Sequence, residues 1–75
     1  MPARYDLLLD LYPLLTSLPH EADILALRIE QTAFDLLIDD QTPPDRLLLL
    51  LRLGRDLGYL DERLYSFLER KALAL

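Results

Sequence analysis

An all-α fold is predicted by the leucine content of this chain, by the scarcity of β-branched residues, and by apolar positions that recur every three to four residues. Leucine supplies 23 of the 75 residues, valine is absent, and isoleucine and threonine together provide six. Leucine keeps its rotamer freedom in a helix, whereas strands favour β-branched and aromatic side chains. We therefore expect a single domain over residues 1–75, a small antiparallel bundle of four helices with a short third helix.

The first helix is expected over residues 4–17. Its apolar positions form two adjoining stripes, with Tyr5, Leu8, Leu9, Tyr12 and Leu15 on one and Leu7, Leu11, Leu14 and Leu18 on the other. Pro13 lies inside this pattern, where it removes a backbone hydrogen bond and clashes with the preceding turn. We expect a kink or a break near Tyr12, and then a turn at residues 17–20.

The second helix, expected over residues 21–40, has apolar residues on two opposite arcs. One arc contains Ala22, Leu25, Ala26, Ile29, Ala33, Leu36 and Leu37, and the other contains Ile24, Leu27, Phe34 and Ile38. A helix in a small monomer needs one apolar stripe, so two stripes indicate two partners. We expect the first arc to face the core of the chain and the second to face another subunit.

The third helix is expected to start at residues 42–45 and to stop at Gly58. Thr42 suits the N-cap, Pro43 the first helical position, and Asp45 stands three residues after the cap, as in a capping box. The alternative is a plain proline-rich turn. Leucines at residues 47–51 and 53 cover most of the circumference of this helix, which indicates burial on more than one side. Gly58 is expected to adopt a left-handed conformation, with Tyr59 or Leu60 folding back.

The fourth helix is expected over residues 62–75, with Asp61 as its N-cap. Its apolar stripe is expected to consist of Leu64, Phe67, Leu68, Ala72 and Leu75. This is the spacing of an ordinary amphipathic helix with one buried side.

The composition limits how so short a chain can be stabilised. Small domains usually add disulfides, a metal or oligomerisation to their cores. The sequence has no cysteine and one histidine, which argues against the first two and leaves oligomerisation or very dense helix packing. No apolar run is long enough to span a bilayer and no signal peptide opens the chain, so we expect a cytoplasmic protein without membrane attachment.

The net charge of −5 is unevenly distributed. Residues 1–42 contain two basic and eight acidic side chains, whereas residues 43–75 contain six basic and five acidic ones. The overall balance argues against a general polyanion-binding surface. Seven of the eight basic residues are arginine, the side chain best suited to forked contacts with phosphate or carboxylate. The structural interpretation, which requires no ligand, is that these arginines pair with acidic residues of their own chain or of a neighbouring subunit.

No catalytic constellation is evident in the sequence. His20 is most simply a solvated residue at a helix start, and Ser17 and Ser66 have no histidine at a motif-like spacing. The paired acids Asp39 and Asp40 are adjacent on a helix and do not converge on one ligand. Neither glycine belongs to a phosphate-binding loop. We expect no enzymatic activity, no metal and no cofactor.

Two stretches of the chain together resemble a known family. The first comprises residues 5–9, 11–14 and 18–19, with Pro13 and Pro19. The second comprises residues 47–53 and the junction Arg-Asp-Leu-Gly-Tyr-Leu-Asp-Glu-Arg of residues 55–63, with Tyr65. They are similar to the small bacterial four-helix bundles that include the accessory variability proteins of diversity-generating retroelements and proteins encoded in rRNA intervening sequences. The chain departs from typical members in a shortened third helix and in its acidic charge.

The resemblance implies a homopentameric barrel of four-helix protomers. It further implies an accessory scaffold without an active site of its own, which binds a reverse transcriptase and its template RNA. The alternative is a structural or regulatory adaptor oligomer of a phage or mobile element that binds only protein. A gene neighbourhood containing a reverse transcriptase and a template repeat would favour the first interpretation.

Two sets of candidate contact residues follow from these expectations. The oligomer interface is expected to contain Ile24, Leu27, Phe34, Ile38, Leu49 and Leu53. The candidate RNA or partner contacts are Arg46, Arg52, Arg55 and Arg63. Because residues 1–42 are too acidic to approach phosphates, any RNA contact is expected to come from the second half of the chain.

Overall fold

The computed structural model describes residues 3–39 and 41–75. Within these residues the chain forms four α-helices: α1 (Ala3–Ser17), α2 (Asp23–Ile38), α3 (Asp45–Asp56) and α4 (Glu62–Leu73). A single 3₁₀ turn, His20–Ala22, precedes α2, and no β-strand occurs in the described residues. The all-α prediction and the number of helices are therefore confirmed.

The helices pack in a closed circuit around one core. α1 contacts α2, α2 contacts α3, α3 contacts α4, and α4 packs back on α1. All four helices contribute to the centre of the core, whose largest fully buried side chains are Leu7, Leu11, Ile29, Leu36, Leu47, Leu51 and Leu68. None of the helices in the described residues combines the length and the apolar character needed to cross a membrane.

The first helix runs without a break through Pro13. α1 is a continuous α-helix of 15 residues, so the break that Pro13 would allow does not occur. Pro13 and Leu9 are both exposed, so water can satisfy the Leu9 carbonyl that loses its intrahelical donor. Beyond the proline, the Thr16 hydroxyl donates to the Pro13 carbonyl at 3.1 Å and the Ser17 hydroxyl donates to the Leu14 carbonyl at 2.9 Å.

The second helix begins two residues later than its pattern indicates. Residues 20–22 form the 3₁₀ turn, in which the amide of Ala22 donates to the Pro19 carbonyl at 2.9 Å. α2 then runs to Ile38, and Asp39 follows it in an extended conformation. The predicted last residue, Asp40, lies outside the described residues. Of the predicted core arc, Ala22, Leu25, Ile29, Ala33 and Leu36 are buried and Ala26 and Leu37 are half-buried.

The start of the third helix differs from the predicted capping box. α3 begins at Asp45, Pro44 occupies the N-cap position, and no side chain caps the helix. Thr42 is instead part of a turn, where its amide donates to the Asp39 carbonyl at 3.1 Å and its own carbonyl accepts from Arg4 at 3.0 Å. Because a residue that precedes proline is pushed away from helical angles, two consecutive prolines delay the helix to the residue that follows them.

The end of the third helix follows the prediction for Gly58. Its φ angle is +87°, and it is the one described residue with a positive φ. The amide of Gly58 donates to the Arg55 carbonyl at 3.0 Å and the amide of Tyr59 donates to the Gly54 carbonyl at 2.8 Å. These are the two bonds of a Schellman motif. Leu60 then folds back into the core.

The fourth helix has the predicted cap and a different buried stripe. The Asp61 carboxylate accepts from the Leu64 amide at 2.7 Å, which confirms the N-cap. Leu68 and Ala72 are buried as expected, but Phe67 is exposed and Tyr65 takes its place in the core. Tyr65 can be buried because its hydroxyl donates to the Glu69 carboxylate at 2.7 Å, so its polar end is satisfied.

Candidate self-association surface

The outer side of α2 is apolar, and we refer to it as the α2 face. It consists of the second predicted arc, Ile24, Leu27, Phe34 and Ile38, and all four side chains are exposed. The two isoleucines are the most exposed, at 78% for Ile24 and 82% for Ile38. The opposite side of the same helix fills the core. The α2 face is therefore a second apolar surface that the single chain does not cover.

The outer side of α3 carries a smaller apolar surface, the α3 face. Leu49 and Leu53, both predicted at the interface, are exposed, and so is Leu57 just beyond the end of the helix. The four-residue spacing of these three leucines places them on one side of the helix. Leu47 and Leu51 of the same helix are fully buried. The six predicted interface residues are thus all exposed apolar side chains on two helices that pack against each other.

Sequence reasoning did not single out further exposed apolar residues on α1 and α4. These are Tyr5, Leu9 and Tyr12 on α1 and Phe67 and Leu73 on α4. The signal was available for α1, since that segment also shows two apolar stripes, as the second helix does. The three α1 residues belong to the stripe that contains Leu8, and Leu8 alone of these four is buried. α2 carries the largest of the outer apolar sets.

Of the four candidate contact arginines, Arg55 is the one held in place within its own chain. Its guanidinium carbon lies 4.4 Å from the centre of the Tyr65 ring on α4. Its Nε atom also donates to the neighbouring Asp56 carboxylate at 3.2 Å. This hydrogen bond raises the pKa of Arg55 above its already high ordinary value. Arg55 therefore bridges α3 and α4, and for this one residue of the four the interpretation of pairing within the chain applies.

The other three candidate arginines are exposed and lie apart. Arg46, at the start of α3, lines the cleft between α2 and α3. Arg52 lies on the exposed side of α3, and Arg63 lies in the first turn of α4. Arg46 lines the cleft next to α2 whereas Arg55 contacts Tyr65 of α4, so these two arginines are on different sides of α3. The four arginines do not form one basic patch within a single chain.

An open cleft of about 520 Å³ separates the end of α2 from the start of α3. Its lining consists of Thr32, Asp35, Ile38, Asp39, Thr42, Pro43, Asp45 and Arg46. The buried hydroxyl of Thr32 donates to the Arg28 carbonyl at 2.7 Å. Among the described residues, no buried side-chain polar atom lacks a hydrogen-bond partner. The cleft is therefore an exposed, mainly acidic groove beside the α2 face.

The histidine and serine side chains considered above as catalytic or metal-binding candidates are dispersed over the surface. His20 is almost fully exposed, and its Nδ1 atom lies 2.7 Å from the Asp23 carboxylate. The Ser17 hydroxyl donates to its own helix, and the Ser66 carbonyl accepts from Arg70. In residues 3–39 and 41–75, no three acidic, histidine or cysteine side chains converge as metal ligands would.

Similarity to known proteins is not detectable for this chain. No protein-family model matches it. No curated protein and no solved structure matches it either. The observations that bear on its function are therefore its own exposed apolar faces and its distribution of charge.

Proposed function

We propose that this protein is a non-catalytic, homo-oligomeric helical scaffold that self-associates through the α2 and α3 faces. The observation that carries the proposal is the exposure of four large apolar side chains on α2, a helix whose other side already fills the core. A surface helix of a monomer has one apolar side. Contiguous apolar surface on a folded chain usually marks a site of association.

The gain from covering these faces is large compared with the stability of so small a domain. Burial of a leucine, isoleucine or phenylalanine side chain contributes roughly 1.5–3 kcal/mol. The α2 face has four such residues, and each is more than one-third exposed in the single chain. Domains of this size have a thin margin of stability. Association therefore stabilises the fold as well as creating the assembly.

The contacts of the single chain also support an antiparallel bundle. Arg4 in the first turn of α1 bonds to the carbonyl of Leu36 in the last turn of α2. Gly54 near the end of α3 lies against Leu25 near the start of α2. Both contacts join the start of one helix to the end of the next. This antiparallel domain is the proposed cytoplasmic protomer of the pentamer that the resemblance implies.

By the resemblance, the partner of this scaffold is a reverse transcriptase of the diversity-generating type. Its surface favours a protein contact over an RNA contact. The net charge is −5, and Arg55 is engaged by Tyr65 and Asp56. The net negative charge and the engagement of Arg55 favour the second candidate function, an adaptor oligomer of a phage or mobile element that binds only protein.

Two measurements on the full chain test this proposal. Light scattering at tens of micromolar, an order-of-magnitude choice well above typical weak dissociation constants, should give a mass several times the 8.7 kDa of the chain. Replacing Phe34 and Ile38 by Asp should reduce the mass to that of one chain, because it places unpaired charges in a dry contact.

A folded wild-type monomer under these conditions contradicts the proposal. A matched control is the replacement of Leu9 and Leu73, exposed apolar residues on α1 and α4, by Asp. This control adds the same two charges elsewhere and should retain the wild-type mass. A pull-down from the native host, with the partner identified, then separates a reverse transcriptase from another protein.

A further inference from the structure

We infer that self-association is heterologous: the α2 face of one copy docks on the α3 face of a second copy. The inference rests on the proposed function, because it specifies which surfaces of the oligomer meet. Three observations support it: the net charges of the two helices, the residues that border the two apolar faces, and the consequences of pairing either face with itself.

The two helices have opposite net charges. α2 contains three acidic residues and one basic residue, a net charge of −2. α3 contains two acidic and three basic residues, a net charge of +1. The same contrast separates the acidic first half of the chain from the basic second half. Since both helices expose apolar residues, each offers a surface that complements the other in charge.

The charges of α2 border its apolar face. Glu30 stands three residues after Leu27 and four before Phe34, so it lies beside both on the helix surface. Asp35 stands three residues before Ile38 and is exposed. The one basic residue of α2, Arg28, is on the same side as Asp35, and both line the cleft between α2 and α3. Glu30 and Asp35 together outnumber Arg28, so the rim of the α2 face has a net negative charge.

The charged residues that border the apolar face of α3 are mainly basic. Arg46 and Arg52 stand three residues before and three residues after Leu49, and both are exposed. Of the two acids on α3, Asp56 is paired with Arg55 of the same chain. Asp45 stands four residues before Leu49 and lines the cleft next to α2 together with Arg46. Arg46 and Arg52 outnumber Asp45 by one charge, so the rim of Leu49 has a net positive character.

Pairing a face with itself brings like charges together. Two α2 faces related by a twofold axis would place Glu30 and Asp35 of both copies around one apolar contact. Two α3 faces related in this way would place Arg46 and Arg52 of both copies around one apolar contact. Like charges facing each other across an interface oppose association, whereas opposite charges favour it and fix its register. The contact between an α2 face and an α3 face is the arrangement that buries both apolar sets with opposite charges at the rim.

A heterologous contact between two copies leaves the α3 face of the first copy and the α2 face of the second copy free. The chain of contacts therefore continues until it closes into a ring or extends as a filament. This differs from an isologous dimer, in which both copies use the same surface and association stops at two.

Mixing two blocked variants tests the pairing. One variant carries Phe34→Asp and Ile38→Asp on the α2 face, and the other carries Leu49→Asp and Leu53→Asp on the α3 face. All four positions are exposed, and circular dichroism verifies that each variant remains helical. Each variant alone should be a monomer. An equimolar mixture should form a dimer of twice the 8.7 kDa chain mass, because one intact α2 face meets one intact α3 face.

The alternative outcomes are distinct. If the α3-blocked variant alone stays oligomeric and the mixture forms nothing new, the contact joins two α2 faces and the inference is wrong. The converse result indicates a contact between two α3 faces and is equally contradictory. Two monomeric variants whose mixture forms no dimer also overturn the inference, although the proposed function survives if the wild type is oligomeric. A monomeric wild type contradicts both the inference and the proposed function.

Charge reversal provides a second test that leaves the apolar residues intact. Replacing Glu30 and Asp35 by Arg, or Arg46 and Arg52 by Glu, should weaken association roughly tenfold in each case. Mixing the two reversed variants should restore it, because the reversed α2 face of one variant meets the reversed α3 face of the other and the two unchanged faces meet as in the wild type. Combining both reversals in one chain should restore it, since every contact again joins opposite charges. A combined variant that is weaker than either single reversal contradicts the inference.

Discussion

The guanidinium of Arg4 donates from Nη1 to the main-chain carbonyl of Leu36 at 2.9 Å, across a separation of 32 residues in the sequence. The same nitrogen lies 3.3 Å from the Asp39 carbonyl and 3.0 Å from the Thr42 carbonyl. The last carbonyls of a helix lack partners within it and carry partial negative charge. Arg4 therefore caps α2 from another helix and fixes the turn that follows it.

Replacement of Arg4 by Ala should lower the free energy of unfolding by about 1–2 kcal/mol, because it removes a charged donor from these carbonyls. The Arg4→Lys variant keeps the charge but loses the planar guanidinium, so its free energy of unfolding should lie between those of Arg4→Ala and the wild type. Urea denaturation at one fixed protein concentration measures both changes. An Arg4→Ala variant as stable as the wild type would contradict this role.

Replacement of Gly58 by Ala should cost about 1 kcal/mol, because the φ angle of +87° is costly for a residue with a Cβ atom. No heavy atom lies within 4 Å of the position that a Cβ atom would take, so the loss reflects backbone strain and not a clash. Gly58→Asn should lose less, since asparagine tolerates this conformation better. If Ala and Asn are equally destabilising in thermal melts, the explanation by backbone strain is wrong.

The melting temperature of the wild type should rise with protein concentration. Association stabilises the folded state by mass action, so a linked assembly melts later when it is more concentrated. The variant with Phe34→Asp and Ile38→Asp should melt at a temperature that does not depend on concentration. Calorimetry over a hundredfold range of concentration compares the two, and a wild type with a constant melting temperature would argue against linked assembly.

RNA affinity should be negligible for the wild type even at low salt, because the exposed arginines are dispersed and the net charge is −5. Titration with a single-stranded RNA across a salt series checks this expectation. Measurable affinity with a log–log salt slope of roughly −0.7 per phosphate contact would reverse it. Loss of that affinity in a variant with Arg52→Glu and Arg55→Glu would then assign the contact to α3. Arg70→Glu is a control on α4, because Arg70 is exposed and is not one of the candidate contacts.

The two sides of α2 could be predicted because apolar spacing on a helix depends on helical periodicity alone. The core arc is buried or half-buried, and Ile24, Leu27, Phe34 and Ile38 are exposed, as their positions indicate. The Asp61 cap and the Gly58 stop were predictable for a similar reason, since each depends on contacts within a few residues.

The errors had two causes. The capping box predicted at Thr42 neglected a local rule, because the two prolines that follow push the residues before them away from helical angles and delay α3 to Asp45. The error on the fourth helix depended on distant partners. Phe67 and Tyr65 both fit an apolar stripe on the fourth helix. Tyr65 is the buried one, and it has Arg55 over its ring and Glu69 at its hydroxyl. Neither partner is visible from hydrophobic spacing.

The closed circuit of helices has a consequence for the order of folding. Three of the four helix pairs in contact within the described residues join neighbours along the chain, and only the pair of α1 and α4 closes a long loop. Bundles dominated by local contacts fold in microseconds to milliseconds. The closure of α1 against α4, where the Lys71 ammonium meets the Asp10 carboxylate, has the greatest loop entropy to overcome. We expect the contact between α1 and α4 to form last in folding and to open first when the native state opens locally.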